Sequence, residues 1–539
     1  IFYRPRLGKS FSGMTGYLYI NTNGYAVEKV IAEPYEDSTG LTLRIVQEYS
    51  LLDGKKWFPS KLPTEIDMRS LSFDEDIKSA YVIGRGSSYI EDVEINPEID
   101  KRGLNDNIVV ETAEGAGELS EEQWGKYRKY EITDKERATY HTVDSLGDAL
   151  NFDRFLAVFK ILSEGKLPLG KNINLDLSRL ITFRNYEGYR LGAGLETSQS
   201  LMKNVQFGGY FGWGTRDKEW KYGGHATFHL NRRKGVRIDL NYHQDLLERG
   251  GYSFHENYPL LSSNLYRQFY IREMDRQRLG ELVFSWDMKS NIELKLIGSY
   301  QRIWFTQGYS YSKLNANEFD AAESGIELTW NILEKSMMVG TRKVSLGKKY
   351  PQIRVKAVRG WKGIAESDLD YFRLNAEISH ITRIGTLGKF QWKIAGAKVV
   401  GDVPLAFTHN GTGTNQFWNV SGPNSFETMV AGSFYTTEQV GLFTRFMFRP
   451  IRTKASWNEP KFGLHHAIGF GRFANRADHQ WTFETMDKGY YEAGFIFDGI
   501  LTSNFTSIGL GGFYRYGYYA DADWKKNIVP KLVLSVNLD

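Results

Sequence analysis

From about residue 172 to the C-terminus, apolar and polar side chains alternate one for one. In Gly235–His243, Val236, Ile238, Leu240 and Tyr242 fall on one side, and Arg237, Asp239, Asn241 and His243 on the other. Ile326, Leu328, Trp330 and Ile332 alternate with Glu327, Thr329 and Asn331. The same pattern runs through Leu282–Met288, Phe372–Ser379 and Phe390–Ile394. A period of two is that of a strand with one apolar face. These segments run to about 10–12 residues, nearly double the ~5–6 of soluble strands and suited to a tilted bilayer crossing.

The connections alternate too. Asn231–Gly235, Lys289-Ser290-Asn291 and Ile384–Gly388 are short turns. Long segments follow Gln244, surround Tyr309 and run from Asp402 to about Thr436. Transmembrane barrels carry short turns on one rim and long loops on the other; a soluble sandwich has no reason to. Strands are expected from about Asn172, at Gly188–Thr197, Val205–Gly214 and Trp220–Leu230. Others centre near Val236, Leu282, Ile292, Ile326, Ile353, Phe372, Phe390, Val440, Phe462, Tyr491, Ile508 and Leu532. The expected fold is therefore a transmembrane β-barrel of about 16 antiparallel strands, preceded by a periplasmic α+β domain. The even number returns the C-terminus to the N-terminal side. Asn172–Phe183 and Lys531–Leu538 are short and polar-rich, so the first–last seam should be weakly paired.

The domain boundary is placed at Gly165–Gly170, giving a periplasmic domain over 1–170 and the barrel over 171–539. In the first domain Tyr17–Ile20, Leu41–Val46 and Trp57–Met68 read as strands. Ser120 and Gln123 have capping-box spacing, and Phe152, Phe155, Leu156, Phe159 and Leu162 recur at helical intervals. That sheet could cradle an acyl chain or an unfolded strand, or merely steady the barrel mouth; both readings stand. The chain opens on Ile1-Phe2-Tyr3 without Met, as a mature or trimmed product would.

Composition removes several classes of function. With no cysteine, disulfides and thiolate chemistry are out. The balance of 68 basic and 64 acidic residues gives no reason to expect nucleic acid. No run of 18 apolar residues offers a transmembrane helix. No catalytic set, cofactor motif or metal site is expected. His225 and His229 share a strand face and His465-His466 are adjacent, but neither pair has further ligands at metal spacing. His409–Thr414 is Gly-rich yet lacks a phosphate loop's Lys-Ser/Thr, and reads as a flexible surface loop. No Gly-x-Ser-x-Gly elbow occurs, so the chain is expected not to be an enzyme. Trp286, Trp304, Trp330, Trp392 and Tyr300 lie on or near apolar faces, as an interfacial belt requires. Trp213, Trp418 and Trp481 fall near loops, where sugar stacking is an alternative role.

Several strings carry a resemblance: Asn185–Gly192, Gly214–Lys218, Lys221-Tyr222-Gly223, Tyr350–Ile353, Phe426-Glu427-Thr428-Met429 and Gly509–Gly517, with Tyr140, Asp144–Gly147 and Gly165–Pro168 before them. Together they resemble a family of uncharacterised outer-membrane proteins from Bacteroidota, whose members often carry a carboxypeptidase-regulatory-like domain ahead of the barrel. That barrel is in turn similar to the outer-membrane assembly-factor and two-partner-secretion superfamily, which has sixteen strands and an Arg-Gly-aromatic motif on a loop folded into the lumen. Arg359, Gly360 and Trp361 match that string and are the lumen-motif candidates, but they end the ninth strand. The superfamily's sixth loop corresponds to Asp402–Thr436, which has no such string. The resemblance implies a non-enzymatic role in envelope biogenesis, assembling or exporting outer-membrane or surface proteins within a larger complex. A passive or ligand-specific pore is the alternative. Expected partners are the lipid bilayer, lipopolysaccharide and other envelope proteins.

Overall fold

The alternating segments form sixteen barrel strands, numbered β1 to β16 in chain order. β1 is broken into Ile173–Asp176 and Ile181–Arg184, and is followed by β2 (Gly188–Thr197), β3 (Val205–Gly214), β4 (Trp220–Asn231) and β5 (Val236–Glu248). The middle strands are β6 (Met274–Lys289), β7 (Ile292–Trp304), β8 (Glu318–Asn331), β9 (Gln352–Gly360), β10 (Tyr371–Ile384) and β11 (Gly388–Val400). The last are β12 (Glu438–Phe448), β13 (Lys461–Arg472), β14 (Tyr490–Thr502), β15 (Thr506–Tyr516) and β16 (Ile528–Val536). All sixteen fall where the alternation places them. This computed structural model describes the chain except residues 7–12, 36–41, 68–82, 99–107, 113–118, 141–160, 162–163, 252–253, 256–268, 290, 315, 340–341, 417–419, 423, 452–456, 503–505 and 537–539.

Each strand pairs antiparallel with its neighbours in sequence. Residues 165–170, expected as a polar link, instead contribute a strand. Lys166–Pro168 lies between β16 and the first half of β1 and closes the ring. The break in β1 has a local cause. Asp176 caps a short turn at Leu177–Arg179 by accepting from the Ser178 backbone N–H at 2.9 Å, which lifts the chain out of the ladder. The rim after even-numbered strands carries mostly short turns; the exceptions are 449–460 and 332–351, which holds a hairpin whose Ser336–Val339 strand pairs in parallel with Ile108–Thr112. The opposite rim carries the long connections 249–273, 305–317, 401–437 and 473–489.

The burial pattern is the reverse of a soluble sheet. Leu282 on the outer face of β6 is 47% exposed, while Lys295 on the inner face of β7 is 6% exposed. The outward rows read Gly280, Leu282, Phe284, Trp286, Met288 on β6 and Ile292, Leu294, Leu296, Gly298, Tyr300 on β7. A continuous exposed band of this kind needs lipid against it. Trp286 and Trp330 sit at its short-turn edge and Trp304 at the other, the positions of interfacial belts.

The chain divides into two compact units, residues 1–101 with 117–157, and 102–116 with 158–539. The first is an antiparallel sheet of Phe2–Tyr3, Met14–Ile20, Val27–Pro34, Thr42–Leu52, Lys56–Asp67 and Ile83–Tyr89, in that order. The Ser120 capping box forms: Ser120 Oγ accepts from the Gln123 N–H at 3.3 Å, and Gln123 accepts from the Ser120 N–H at 2.9 Å. The Phe152–Leu162 helical face lies outside the described residues.

Leu282→Arg should destabilise the barrel by roughly 2–4 kcal/mol, since the site is near mid-band and faces lipid. Urea titration of protein folded into vesicles measures this; an unchanged midpoint would mean that the outer face is not lipid-covered.

Candidate functional site

The charged inner face of the barrel is filled by its own long loops. The β11–β12 loop, residues 401–437, folds inward, and His409–Thr414, expected as flexible surface, is largely buried. Sequence polarity misleads here, because the loop finds polar partners on the wall. Three groups of contacts hold it.

Near the long-loop rim, Leu405–Phe407 forms a turn whose Phe407 ring stands edge-on to Phe319 and beside Tyr371, both at 5.1 Å. The Arg373 guanidinium lies over the same ring at 4.6 Å. Tyr309 Oη accepts from the Leu405 N–H at 2.9 Å and bonds His479 Nδ1 at 2.9 Å, tying the β7–β8 and β13–β14 loops to this one. Arg249 pairs with Asp275 at 2.6 Å with both fully buried, and lies over Tyr309 and over Trp481. That guanidinium occupies a face of Trp481. Trp418 lies outside the described residues. Burial and the Arg373 charge push the loop's His409 down to about 3, and burial takes His479 down to about 4, so both stay neutral.

Deeper in the lumen, Phe426–Val430 pairs in parallel with Gly413–Asn415, and its polar centre locks to the wall. The fully buried Glu427 carboxylate meets Lys531 of β16 at 2.8 Å and Arg445 of β12 at 3.1 Å, and accepts from Ser421 Oγ at 2.5 Å. In exchange the wall offers a carboxylate to the loop. Glu492 of β14 accepts the backbone N–H groups of Glu427 and Thr428 at 2.8 and 2.9 Å and the Thr428 hydroxyl at 2.7 Å. His465 of β13 contacts Glu492 at 3.0 Å. Phe426 lies against Phe443 and Tyr490, at 5.0 and 5.1 Å. Gly469 of β13 is flat beneath it; a Cβ there would sit 2.6 Å from the ring.

At the seam, the same loop reaches the edge of β16. Val420 bridges Leu532, and the Ser421 N–H donates to the Leu532 carbonyl at 2.8 Å. Among the described residues, Ile181–Arg184 pairs with β2 only. The ring is thus closed by strand pairing at the short-turn end, through Lys166–Pro168, and covered by a loop further up.

A second plug comes from the β5–β6 loop. His255 sits between two wall carboxylates, Nδ1 at 2.9 Å from Glu327 and Nε2 at 2.9 Å from Glu281. Lys295 Nζ donates to the His255 carbonyl at 2.6 Å, and Phe254 lies under Arg354 at 4.4 Å. Burial pulls the imidazole pKa down, but hydrogen bonds to Glu281 and Glu327 outweigh it, and the net shift is upward.

Glu187, Arg190 and Lys221, from strings singled out in the sequence, meet Asp245 in a buried cluster near the long-loop rim, Lys221–Glu187 at 3.2 Å and Arg190–Asp245 at 2.5 Å. Arg359, Gly360 and Trp361 lie elsewhere. Arg359 is in register with Ser324 and Phe372 of the outward row and pairs with Asp370 at 2.5 Å; Trp361 is 43% exposed and donates to Ser324. The structure places them at the outer rim, apart from the loop lock. His465 and His466 fall on opposite faces of β13, His466 bonding Tyr516 Oη at 2.7 Å. Among the described residues no three His, Asp or Glu converge as metal ligands.

Residues 169–439 match the C-terminal domain of a family of unknown function (DUF5686). The chain belongs to this family. The family's span runs from β1 to the start of β12, so it covers the β11–β12 loop and both halves of the broken first strand. No curated protein matches the chain. Similar solved structures include BamA from Haemophilus ducreyi lacking POTRA domains 1–3, at 10% identity over 67% of this chain and 70% of that one, TM-score 0.42. CdiB from Escherichia coli matches at 9% identity over 68% and 62%, TM-score 0.37. OccK11 (OpdR) from Pseudomonas aeruginosa matches at 8% over 67% and 90%, TM-score 0.26. The architecture rests on the strands themselves.

Lys531→Met removes one of the two cations that meet Glu427 and leaves Arg445, so it should loosen the loop by about 1.5–3 kcal/mol, the worth of a charge-assisted hydrogen bond. Limited proteolysis within 401–437 should become faster while the barrel stays folded. The His255 plug carries a pH sign. A raised folded pKa stabilises fully below the ordinary 6.5 and is lost as pH rises through the folded value. Protection of the His255 backbone N–H, its exchange rate set against the intrinsic rate at each pH, should therefore fall on alkalinisation, and His255→Gln should abolish that fall.

Proposed function

We propose that this chain is an outer-membrane barrel that assists the assembly or export of outer-membrane or surface proteins, working at its first–last seam. The observation that carries the reading is the seam itself: among the described residues Ile181–Phe183 has a strand partner in β2 alone, and the neighbouring β16 edge is capped by loop residues Val420 and Ser421. A strand edge with open N–H and C=O groups is a template for another strand. In hydrocarbon such an edge is costly unless something pairs with it, so it is kept only where pairing is useful. Displacing the loop would expose β16 as well, giving an incoming strand two edges.

The lumen supports the same reading. Two plugs, one held by buried ion pairs and the other by hydrogen bonds of His255 to wall carboxylates, make a permanently open passage a poor account of the barrel. A charged inner wall would suit a gated solute path, and single-channel recording separates the readings: no conductance with the loops in place fits the seam, steady conductance fits a pore. In the proposed setting the barrel stands in the outer membrane with long loops outward, and β1 is entered from the periplasmic rim. The N-terminal unit then faces the periplasm, where clients and partner subunits arrive.

The natural chain has no cysteine, so a cysteine pair between 181–184 and β16 can staple the seam cleanly. Stapling should block insertion of client proteins, and reduction should restore it. A surface proteome unchanged by depletion of the protein would overturn the proposal.

A further inference from the structure

On the outer face, β3 to β7 line a shallow, open apolar groove of about 670 Å³. It follows one cross-strand row, with its floor at the backbone of Gly208, His225, Asn241, Glu281 and Ser299, which are direct register partners. Leu240, Tyr242, Leu282 and Tyr300 form its walls. It exists because Gly280 and Gly298 stand where outward side chains would fill it. Neither needs to be glycine for the sake of the chain. A Cβ at Gly298 would meet nothing within 4 Å, one at Gly280 only a carbonyl oxygen at 3.9 Å, and neither has a positive φ. Glycine inside a strand weakens it, and where the fold does not demand it, it marks close approach by something else.

Directly above the groove, towards the long-loop rim, the outward row turns basic. Arg278 and Arg302 are register partners, and Arg276 is one outward position further up. Arg302 pairs with Asp320 at 2.7 Å and Arg276 with Glu219 at 3.0 Å, and Glu318 stands opposite Trp304. Arg278 hydrogen-bonds the neutral Gln244 at 3.1 Å and lies over Trp304 at 5.5 Å. It brings an exposed guanidinium to the level where the apolar band ends, the depth of lipid phosphates.

We propose that the Arg276–Arg278–Arg302 row and the Gly280–Gly298 groove together form a binding site for one phosphorylated lipid, its phosphate on the guanidiniums and an acyl chain in the groove. Arginine matches phosphate through paired N–H donors, and a flat aliphatic trough matches a methylene chain. The site rests on the barrel spanning a membrane with its long loops outward. It does not depend on what passes the seam, so a negative surface proteome would leave it standing.

The test is lipid retention by the full chain in nanodiscs, read by native mass spectrometry. Probes are lipid A, phosphatidylglycerol, phosphatidylcholine and inorganic phosphate. Lipid A should be retained by the natural chain and about tenfold less by Arg278→Ala, as loss of a charge-assisted contact implies. Gly298→Leu, which has open space, should reduce retention comparably while leaving folding yield unchanged. Equal dependence for phosphatidylglycerol upholds the site and widens its source to any phosphorylated lipid. Equal retention by all variants, or displacement by inorganic phosphate with no effect of Gly298→Leu, would overturn it. So would a co-purifying polypeptide lost with Gly298→Leu in place of lipid.

Discussion

Inside a bilayer, each backbone amide without a partner costs several kcal/mol. That one constraint organises the molecule. It forces the strands into a ring, and among the described residues strand pairs with strand around that ring except between the upper half of β1 and β16. There the Asp176-capped turn diverts the chain, and Ser421 of a distant loop supplies the missing donor to Leu532. The loop is thus part of the wall as well as an occupant of the lumen. Its departure and the opening of the seam would be one event.

The buried charges follow from the same geometry. A barrel of this size has an interior too wide for wall side chains to fill, and the long loops enter it. Once water is displaced, every wall charge needs a partner. Glu427 with Lys531 and Arg445, Glu492 with two loop amides, and His255 with Glu281 and Glu327 answer that need at three depths or sectors. Aromatic packing supplements them where Phe426 rests on Gly469 and Phe407 on Tyr371.

The wall was legible in the sequence because its code is local. A two-residue period, strand length and turn spacing fix each of the sixteen strands without reference to the others, and the short, polar first and last segments already mark the seam. The lock was not legible, because it joins residue 427 to residue 531 and residue 255 to residue 327, and no local pattern reports such pairings. The Arg359-Gly360-Trp361 string lies at the outer rim, while the β11–β12 loop presents the acidic Glu427 to the basic Lys531 and Arg445 of the wall. The signal that could have found it was Glu427-Thr428 set between Phe426 and Met429 in the string Phe426–Met429, a charged residue flanked by groups that seek burial. The broken first strand was equally hidden, since Leu177–Arg179 interrupts it through a cap and not through a change of period.

The loop lock is asymmetric in what it asks of the sequence. One half uses the Glu427 carboxylate; the other uses backbone N–H groups of residues 427 and 428, which any amino acid but proline provides. Evolution could therefore redraw the side-chain half, even reverse its charges together with the wall, while the amide half kept the loop in register. A barrel built this way can change how firmly its plug is held without ever losing track of where the plug belongs.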